Sequence, residues 1–309
     1  MSRQPPTSEQ SWANKQRWIS QFSPKEEFKL LQDLVTKEEA TPRDAVQQVI
    51  NLASAATASR STEQSAASLV DYHVSLSVIE LAQQLDHSKH TKLVEFMSLL
   101  QKHKHTDPST GPSTGEQVQT DRARLFQDLP SFGYVELETW HEFGGAYKNP
   151  CDLDMTPQQK HRFANLNAFI AQLSQVVDVE NMPEGQLHPL DKTLHAIWTM
   201  QTALENKSRL PAELADSAAM RAACMWFLYA SDRLMKNVHG SRTFGDNGGA
   251  ESSNSREEYA LQGYKGYTLG RWQLWRKGLE EAKNACQDGK TKALIENALA
   301  QMQRAERDE

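Results

Sequence analysis

Five polar side chains in the second half of the chain could line a binding pocket between helices: Asn165, Asn167, His195, Tyr229 and Asp232. Burying a polar side chain costs free energy unless it is hydrogen-bonded or contacts a ligand. Asn167 is the leading candidate for a ligand contact, because it lies beside the apolar stripe of Leu166 and Ile170. The alternative is a buried amide that hydrogen-bonds to the backbone of a neighbouring helix.

Histidine, cysteine and aspartate residues raise the question of a metal site. His141-Glu142 opens like a zincin helix, but Gly145 stands where that motif needs its second histidine. His87 and His90 lie one helical turn apart without a third ligand; we expect Ser88 to cap the following helix and leave both imidazoles in solvent. One further cluster could bind a metal if the backbone folded around it: His141, Cys151, Asp152 and Asp154. Since these residues have no recurring ligand spacing, we predict no metal and no cofactor.

The sequence contains none of the common enzyme motifs that we searched for. It has no GxxxxGK phosphate loop, no GxGxxG dinucleotide loop and no GxSxG nucleophile elbow. A helical isoprenoid synthase would need an aspartate cluster such as DDxxD to bind magnesium and diphosphate. Asp152 and Asp154 are too few and badly placed for that role. These absences favour a protein that is not an enzyme without excluding one.

Charge and composition argue against nucleic acid and membrane partners. The formal net charge is −6 and the pI is about 6.0, so the overall field repels phosphate backbones and anionic lipids.

Met1 to Glu9 lacks the apolar stretch of a secretory signal, and the longest nearly apolar run, Ala218 to Ala230, is too short to span a bilayer. Three widely separated cysteines suit neither a disulfide framework nor a paired zinc site. We therefore expect a cytoplasmic protein.

Helices are the elements that would position these residues. A hydroxyl followed by proline predicts three helix starts, at Ser23-Pro24, Thr41-Pro42 and Thr156-Pro157. Apolar residues then recur every three or four positions, which is typical of amphipathic helices. We predict an all-α fold: an irregular multi-helix bundle or helical array with flexible loops.

Two late helices carry tryptophans among apolar neighbours. The pattern predicts one helix from Ala212 to about Val238 and another from Thr268 to about Ala285. They place three indoles in the core, where aromatic side chains bury the most area: Trp226, Trp272 and Trp275.

Local composition predicts where the chain divides. Residues 1–22 are expected to form a disordered N-terminal arm, although Trp12 and Trp18 suggest that it docks. A helical part then covers 23–104, and the Pro-Ser-Thr-Gly repeat makes 105–120 a flexible linker. Residues 121–309 form a C-terminal helical part that we expect to pack with the first as one domain. A second Gly-, Ser- and Asn-rich stretch, 240–256, is predicted to be a solvated loop.

The order of several short motifs resembles a family of uncharacterised fungal helical proteins that share a domain of unknown function. The motifs are Leu125 to Pro130 followed by Trp140, Asn165 to Phe169, Ala196 to Trp198, Cys224 to Trp226, and Arg271 to Trp275. The similarity runs from about Phe28 to Ala285. The resemblance implies a helical fungal protein and supplies no activity, cofactor or catalytic residue.

Two functions remain open from the sequence. The first is a non-catalytic interaction with another protein through a groove between helices. The second is an enzyme or small-molecule binder with a pocket between the late helices, in fungal secondary metabolism. The sequence identifies neither the ligand nor the partner, and it does not give the oligomeric state.

Overall fold

The computed structural model describes residues 8–58, 66–104, 119–120, 123–145, 149–152, 155–179, 187–245 and 248–307. Twelve α-helices lie within these ranges with essentially no sheet, which confirms the predicted all-α class. None of the described helices is long and apolar enough to cross a membrane. The chain separates into two compact units, Met1–Tyr147 and Lys148–Glu309.

The first unit contains six helices, and α4 lies at its centre. α4 packs against α1, α2, α3 and α6, and α5 packs against α2 and α3. A two-residue antiparallel ladder, β1 (Gln119–Thr120) with β2 (Ala123–Arg124), precedes α6. The helices are α1 (Ser8–Phe22), α2 (Glu26–Thr36), α3 (Pro42–Ala58), α4 (Ala66–Gln84), α5 (Thr91–Lys102) and α6 (Pro130–His141).

The N-terminal arm differs from the sequence expectation of disorder. From Ser8 onward it forms α1, whose Ile19 and Phe22 are buried. Lys15 is also buried; it pairs with Glu142, just after α6, and lies 4.2 Å from the centre of the Trp18 ring. Lys15 contributes to this docking face because its long stem covers apolar surface while its ammonium reaches a carboxylate.

His90 is a second correction to the sequence reading. We expected its imidazole in solvent, but it is fully buried, and its Nε2 donates to the carbonyl oxygen of Ala82 at 2.9 Å. Burial lowers the His90 pKa to about 4, so the ring is neutral at pH 7. Ser88 does not cap the following helix: Asp86 caps the short 3₁₀ turn His87–Lys89 by accepting from the Ser88 amide at 3.0 Å, and α5 begins after His90 without a side-chain cap.

The second unit also contains six helices, with α9 at its centre. α9 packs against α7, α8, α11 and α12. The predicted core tryptophans are confirmed: Trp226, Trp272 and Trp275 are all fully buried. The helices are α7 (Pro157–Val176), α8 (Thr193–Ala203), α9 (Ala218–His239), α10 (Glu257–Ala260), α11 (Leu269–Ala285) and α12 (Gly289–Ala305).

α9 begins later than predicted and bends in its middle. Ser217 caps it by accepting from the Met220 amide at 3.1 Å, which sets the start at Ala218. The backbone of Ala230 leaves helical geometry at φ −139° and ψ 19°. Nearby, the Arg233 amide donates to Gln175 Oε1 at 3.2 Å. A side chain that enters the helical ladder in this way is a recognised cause of a kink.

The boundary between the units falls later than the predicted linker. α6 packs against α4, so the region 123–145 belongs to the first unit, whereas we had assigned it to the C-terminal part. Of the predicted linker 105–120, residues 105–118 lie outside the described ranges. The composition of 105–120 indicates a polar stretch. The end of the first unit lies further along the chain, because α6 packs against α4 of that unit.

Candidate functional site

Asn167 joins three helices of the second unit. Its Nδ2 donates to the Phe163 carbonyl at 2.9 Å within α7. Its Oδ1 accepts from Trp226 Nε1 of α9 at 2.9 Å and from Thr199 Oγ1 of α8 at 3.1 Å. The side chain is fully buried, so these bonds compensate the cost of removing the amide from water. The arrangement fits a structural junction.

Two other candidates lie close to this junction. His195 is on α8, and its carbonyl accepts from Thr199 Oγ1 at 2.7 Å. Its ring packs edge-on against Trp198, with the ring centres 4.6 Å apart. Asn165 is fully buried on α7, two residues before Asn167. The structure therefore brings Asn165, Asn167 and His195 into the same pair of packed helices, α7 and α8.

The remaining two candidates lie elsewhere. Tyr229 is half-buried and packs against the small residues Ala164 and Ala168. Asp232 is at the surface, where it pairs with Arg304 of α12 at 2.7 Å. Two surface grooves lie in the described part of this unit, one of which is discussed below. None of the five predicted residues lines either groove.

The proposed metal ligands do not form a metal site within the described ranges. No group of three His, Cys, Asp or Glu side chains there is arranged to hold an ion. Asp154 lies outside these ranges. Cys151 is buried and accepts a hydrogen bond from Asn206 Nδ2 at 3.4 Å. Burial raises the Cys151 pKa to about 11, so the thiol stays protonated and is a poor nucleophile at pH 7.

A buried ion pair that we did not predict lies beside the Trp275 ring. Glu205 follows α8 and Arg271 lies in the first turn of α11; both side chains are 0% exposed. Arg271 Nε donates to Glu205 Oε1 at 2.7 Å, and Nη2 donates to Oε2 at 2.9 Å. This bidentate geometry is the strongest form of a charge-assisted pair, and it offsets the cost of burying both charges.

Two neutral donors complete the shell around Glu205. Trp275 Nε1 donates to Oε1 at 2.7 Å, and Ser255 Oγ donates to Oε2 at 2.7 Å. Both carboxylate oxygens are thus occupied and shielded from solvent. A carboxylate in this state cannot exchange protons with a substrate, because a general acid or base must reach the reacting group. We assign Glu205 a structural role.

The ion pair holds residues 248–267, which we call the strap; apart from the one-turn helix α10 and a 3₁₀ turn this segment is irregular. Arg271 Nη1 donates to the strap carbonyls of Ala250 at 2.7 Å and Gly266 at 3.0 Å. The Arg256 amide donates to the Glu205 carbonyl at 2.9 Å. On α8, Trp198 Nε1 donates to the Gly248 carbonyl at 2.9 Å. The predicted solvated loop 240–256 is therefore anchored where the strap begins.

A second charged cluster lies at the start of α8. Asp191 is fully buried and accepts from Arg233 Nη2 at 2.8 Å and Arg242 Nη1 at 2.6 Å. Burial alone would raise the Asp191 pKa, but the charges of Arg242 and Arg233 hold it below its usual value. Nearby, Tyr267 Oη donates to the Thr193 carbonyl at 2.6 Å. This second cluster fixes the far end of the strap.

A shallow groove of about 1000 Å³ lies on the surface of the same unit. Its charged residues carry both signs, and Leu210, which is 53% exposed, supplies apolar surface. Arg256 pairs with Glu258 at 2.9 Å, while Lys207 and Glu257 form no ion pair with any described residue. The lining residues are Lys207, Leu210, Ala212, Arg256, Glu257, Glu258, Lys277, Glu281 and Asn284.

Sequence reasoning missed the charged residues because it followed apolar spacing. Arg271 was part of a motif that we noted only for Trp272 and Trp275. One signal was available: Arg271 lies four residues before Trp275, so both occupy the same face of α11. An arginine on the face that carries a buried tryptophan needs a buried acceptor. Nothing in the sequence identifies Glu205 as that acceptor.

Comparison with known proteins gives one family match. The model of a family described as "Protein of unknown function (DUF3632)" matches residues 76–279. This range covers all of α5, α6, α7, α8 and α9, and it includes the strap and Arg271. No curated protein and no solved structure matches the chain.

Proposed function

The chain belongs to the DUF3632 family, and from that premise we propose that it is a non-catalytic protein that binds another protein through the groove beside the strap. We place it in the cytoplasm of a fungal cell. The sequence resemblance supports the fungal source, and three free cysteines support a reducing compartment such as the cytoplasm.

The shape and lining of the groove carry this proposal. Small-molecule sites are enclosed and mostly apolar, whereas this groove is open and rimmed by charges of both signs. Apolar surface within a polar rim is the usual composition of a protein interface. The groove suits a polypeptide better than a compact metabolite.

Charge complementarity indicates the kind of partner. Lys207 and Glu257 are exposed and form no ion pair with described residues, while Leu210 offers an apolar contact. The matching segment carries an apolar side chain for Leu210, an acidic group for Lys207 and a basic group for Glu257. Such rim charges chiefly set the association rate and the choice of partner.

The buried ion pair prepares the groove for binding. Arg256 lines the groove, its amide donates to the Glu205 carbonyl, and its Nη2 donates to the Leu204 carbonyl at 2.9 Å. Ser255, the preceding residue, donates to the Glu205 carboxylate. The wall is therefore ordered before a partner arrives, which lowers the entropy cost of association.

Affinity capture with matched variants tests the proposal. The chain with Leu210→Glu should lose a stoichiometric partner that the wild-type chain recovers from its native host. Leu187→Glu is the control, because Leu187 is 61% exposed in the same unit and is not among the residues that line the groove. Recovery of the same partner with Leu210→Glu, or its loss with both variants, would contradict the proposal.

The alternative, an enzyme or small-molecule binder, has weaker support. Asn167 forms hydrogen bonds within α7 and to neighbouring helices, and Asp232 is paired with Arg304 at the surface. A native mass spectrum of gently purified protein would distinguish the two. A bound species of a few hundred daltons would favour the alternative, and a stoichiometric protein partner would favour the groove.

A further inference from the structure

Two arginines share one buried carboxylate where α9 ends and α8 begins, and we propose that this cluster binds a small oxyanion of the phosphate type. We call Asp191, Thr193, Arg233 and Arg242 the arginine cluster. It is separate from the Glu205 ion pair and from the groove lining, so the proposal does not depend on the proposed function.

Charge balance is the first argument. Asp191 is 0% exposed, and the side chains of Arg233 and Arg242 are 4% and 21% exposed. Neither arginine pairs with a second carboxylate among the described residues. One negative charge thus faces two positive charges in a largely buried place. An uncompensated buried charge is costly, and a bound anion would remove the excess.

Unused donor capacity is the second argument. Arg233 Nε is buried and donates no hydrogen bond to any described residue. α8 begins at the same place, and its N-cap residue, Lys192, provides no side-chain cap. The Thr193 amide donates to Asp191 Oδ1 at 3.1 Å, so the start of the helix faces the cluster. The positive end of the helix dipole adds to the attraction for an anion.

Access comes from the side of Arg242. This guanidinium is the most exposed member of the cluster and stacks over the Phe244 ring, with Cζ 5.1 Å from the ring centre. Its Nη1 donates to Asp191 Oδ2 at 2.6 Å, to Thr193 Oγ1 at 3.2 Å and to Asn237 Oδ1 at 3.4 Å. The other edge of the guanidinium, Nε and Nη2, donates to none of the described residues and presents two parallel donors. That fork matches two oxygens of a phosphate, which makes an oxyanion a better ligand than chloride.

Binding would reach the strap through the backbone. The Arg242 carbonyl accepts from the Tyr267 amide at 2.9 Å, and Thr243 forms a bridge with Gly266. An oxyanion that fixes Arg242 therefore also favours the docked end of the strap. Docking of the strap end is therefore a second observable that reports oxyanion binding, besides the amount of oxyanion bound.

Thermal unfolding in phosphate and in chloride at equal ionic strength provides the test. At ten times its dissociation constant, inorganic phosphate should raise the midpoint of the wild-type chain by about 3 °C relative to chloride. Arg242→Gln should abolish this difference. Arg221→Gln is the control and should retain it, because Arg221 pairs with Asp288 outside the cluster. Equal phosphate effects in all three proteins, or none in the wild type, would overturn the proposal.

Asp191→Asn separates anion binding from a purely structural role and remains informative if Arg242→Gln fails to fold. Removing the carboxylate leaves both arginines without a counter-ion, so phosphate should stabilise this variant more than the wild type. Isothermal titration should show tighter phosphate binding by about tenfold, the size of one removed like charge at close range. A variant that phosphate neither binds nor stabilises would also overturn the proposal.

Discussion

Asp71 in the first unit and Asp191 and Glu205 in the second are all buried carboxylates, but they differ in how their charge is compensated. In the first unit, Asp71 on α4 is 1% exposed and accepts from the Ser131 amide at 3.3 Å, without an ion pair to any described residue. In the second unit, Asp191 and Glu205 are each matched by arginine. Burial raises the Asp71 pKa, whereas the arginine charges hold the Asp191 pKa below its usual value.

This difference follows from what each carboxylate connects. Asp71 joins two helices, α4 and α6, that already share an extensive packed surface. Glu205 and Asp191 hold the strap, in which only α10 and the 3₁₀ turn Ser252–Asn254 are helical, so most of its backbone groups need partners elsewhere. Buried backbone donors and acceptors need partners: here the Arg271 side chain donates to the Ala250 and Gly266 carbonyls, and the Glu205 backbone carbonyl accepts from the Arg256 amide. The position of the strap thus depends on buried charged side chains, while the contact between α4 and α6 depends on apolar area.

The largest expected effect is the loss of the Glu205 ion pair. Arg271→Ala should destabilise the second unit by about 3–5 kcal/mol, because it leaves Glu205 buried without its counter-charge. Urea unfolding followed by tryptophan fluorescence would measure this. Arg276→Ala is the control: its pair with Glu306 is 40% exposed on the arginine side, and its removal should cost less than about 1 kcal/mol. Equal losses of unfolding free energy in the two variants would show that burial of the ion pair does not determine its contribution to stability.

Asp191→Asn should have the next largest effect. In chloride buffer it should destabilise the second unit by about 3 kcal/mol, because two buried arginines lose their shared partner. Chemical unfolding at pH 7 would measure the change. A variant as stable as the wild type would mean that solvent already compensates the arginines.

Asp71→Asn should shift stability in the opposite direction. An amide keeps the acceptor for the Ser131 amide and removes the cost at pH 7 of a carboxyl group whose pKa is raised by burial. We expect the first unit to gain about 1 kcal/mol. Denaturant unfolding of the same chain would measure it. A loss of stability at pH 7 would show that Asp71 is charged and compensated, and the contrast between the units would then disappear.

The pH dependence of the two units should also have opposite signs. Asp71 has a raised pKa in the folded state, so its contribution is present at low pH and is lost as the pH rises through that value. Asp191 has a lowered pKa, so its contribution is present above the usual aspartate range and is lost as the pH falls through the folded value. As the pH falls from 7 to 3, the free energies of unfolding of both variants should approach that of the wild type. Asp71→Asn should approach it from higher stability and Asp191→Asn from lower stability. Parallel pH curves would contradict the assignment.

Much of the helical framework could be predicted from the sequence. The Thr156 cap forms as expected, with the Gln159 amide donating to Thr156 Oγ1 at 3.2 Å. Thr41 likewise accepts from the Asp44 amide at 3.2 Å. α11 begins and ends within one residue of the prediction. These features are local, because caps and apolar spacing act within a few residues along the chain.

The site could not be predicted in the same way. Glu205 and Arg271 are far apart in the sequence, and nothing near either one reveals the other. The predicted solvated loop 240–256, which includes the first part of the strap, was chosen because it is rich in Gly, Ser and Asn, yet Ser252 and Ser255 are buried and hydrogen-bonded. Composition reports the average preference of a segment for solvent, while the strap is held by a few long-range contacts. Asn167 was found, but its partners Thr199 and Trp226 were not assigned to it.

Amide hydrogen exchange of the strap tests the central claim most directly. Three of its amides donate to buried or docked acceptors: Ser252 to the Tyr264 carbonyl, Arg256 to the Glu205 carbonyl and Tyr267 to the Arg242 carbonyl. If the buried charges hold the strap, these amides exchange slowly in the wild-type chain and much faster in Arg271→Ala, while the amides of α12 keep their protection under the same conditions. Strap amides that exchange in the wild type at the rate of an unstructured peptide would contradict the account.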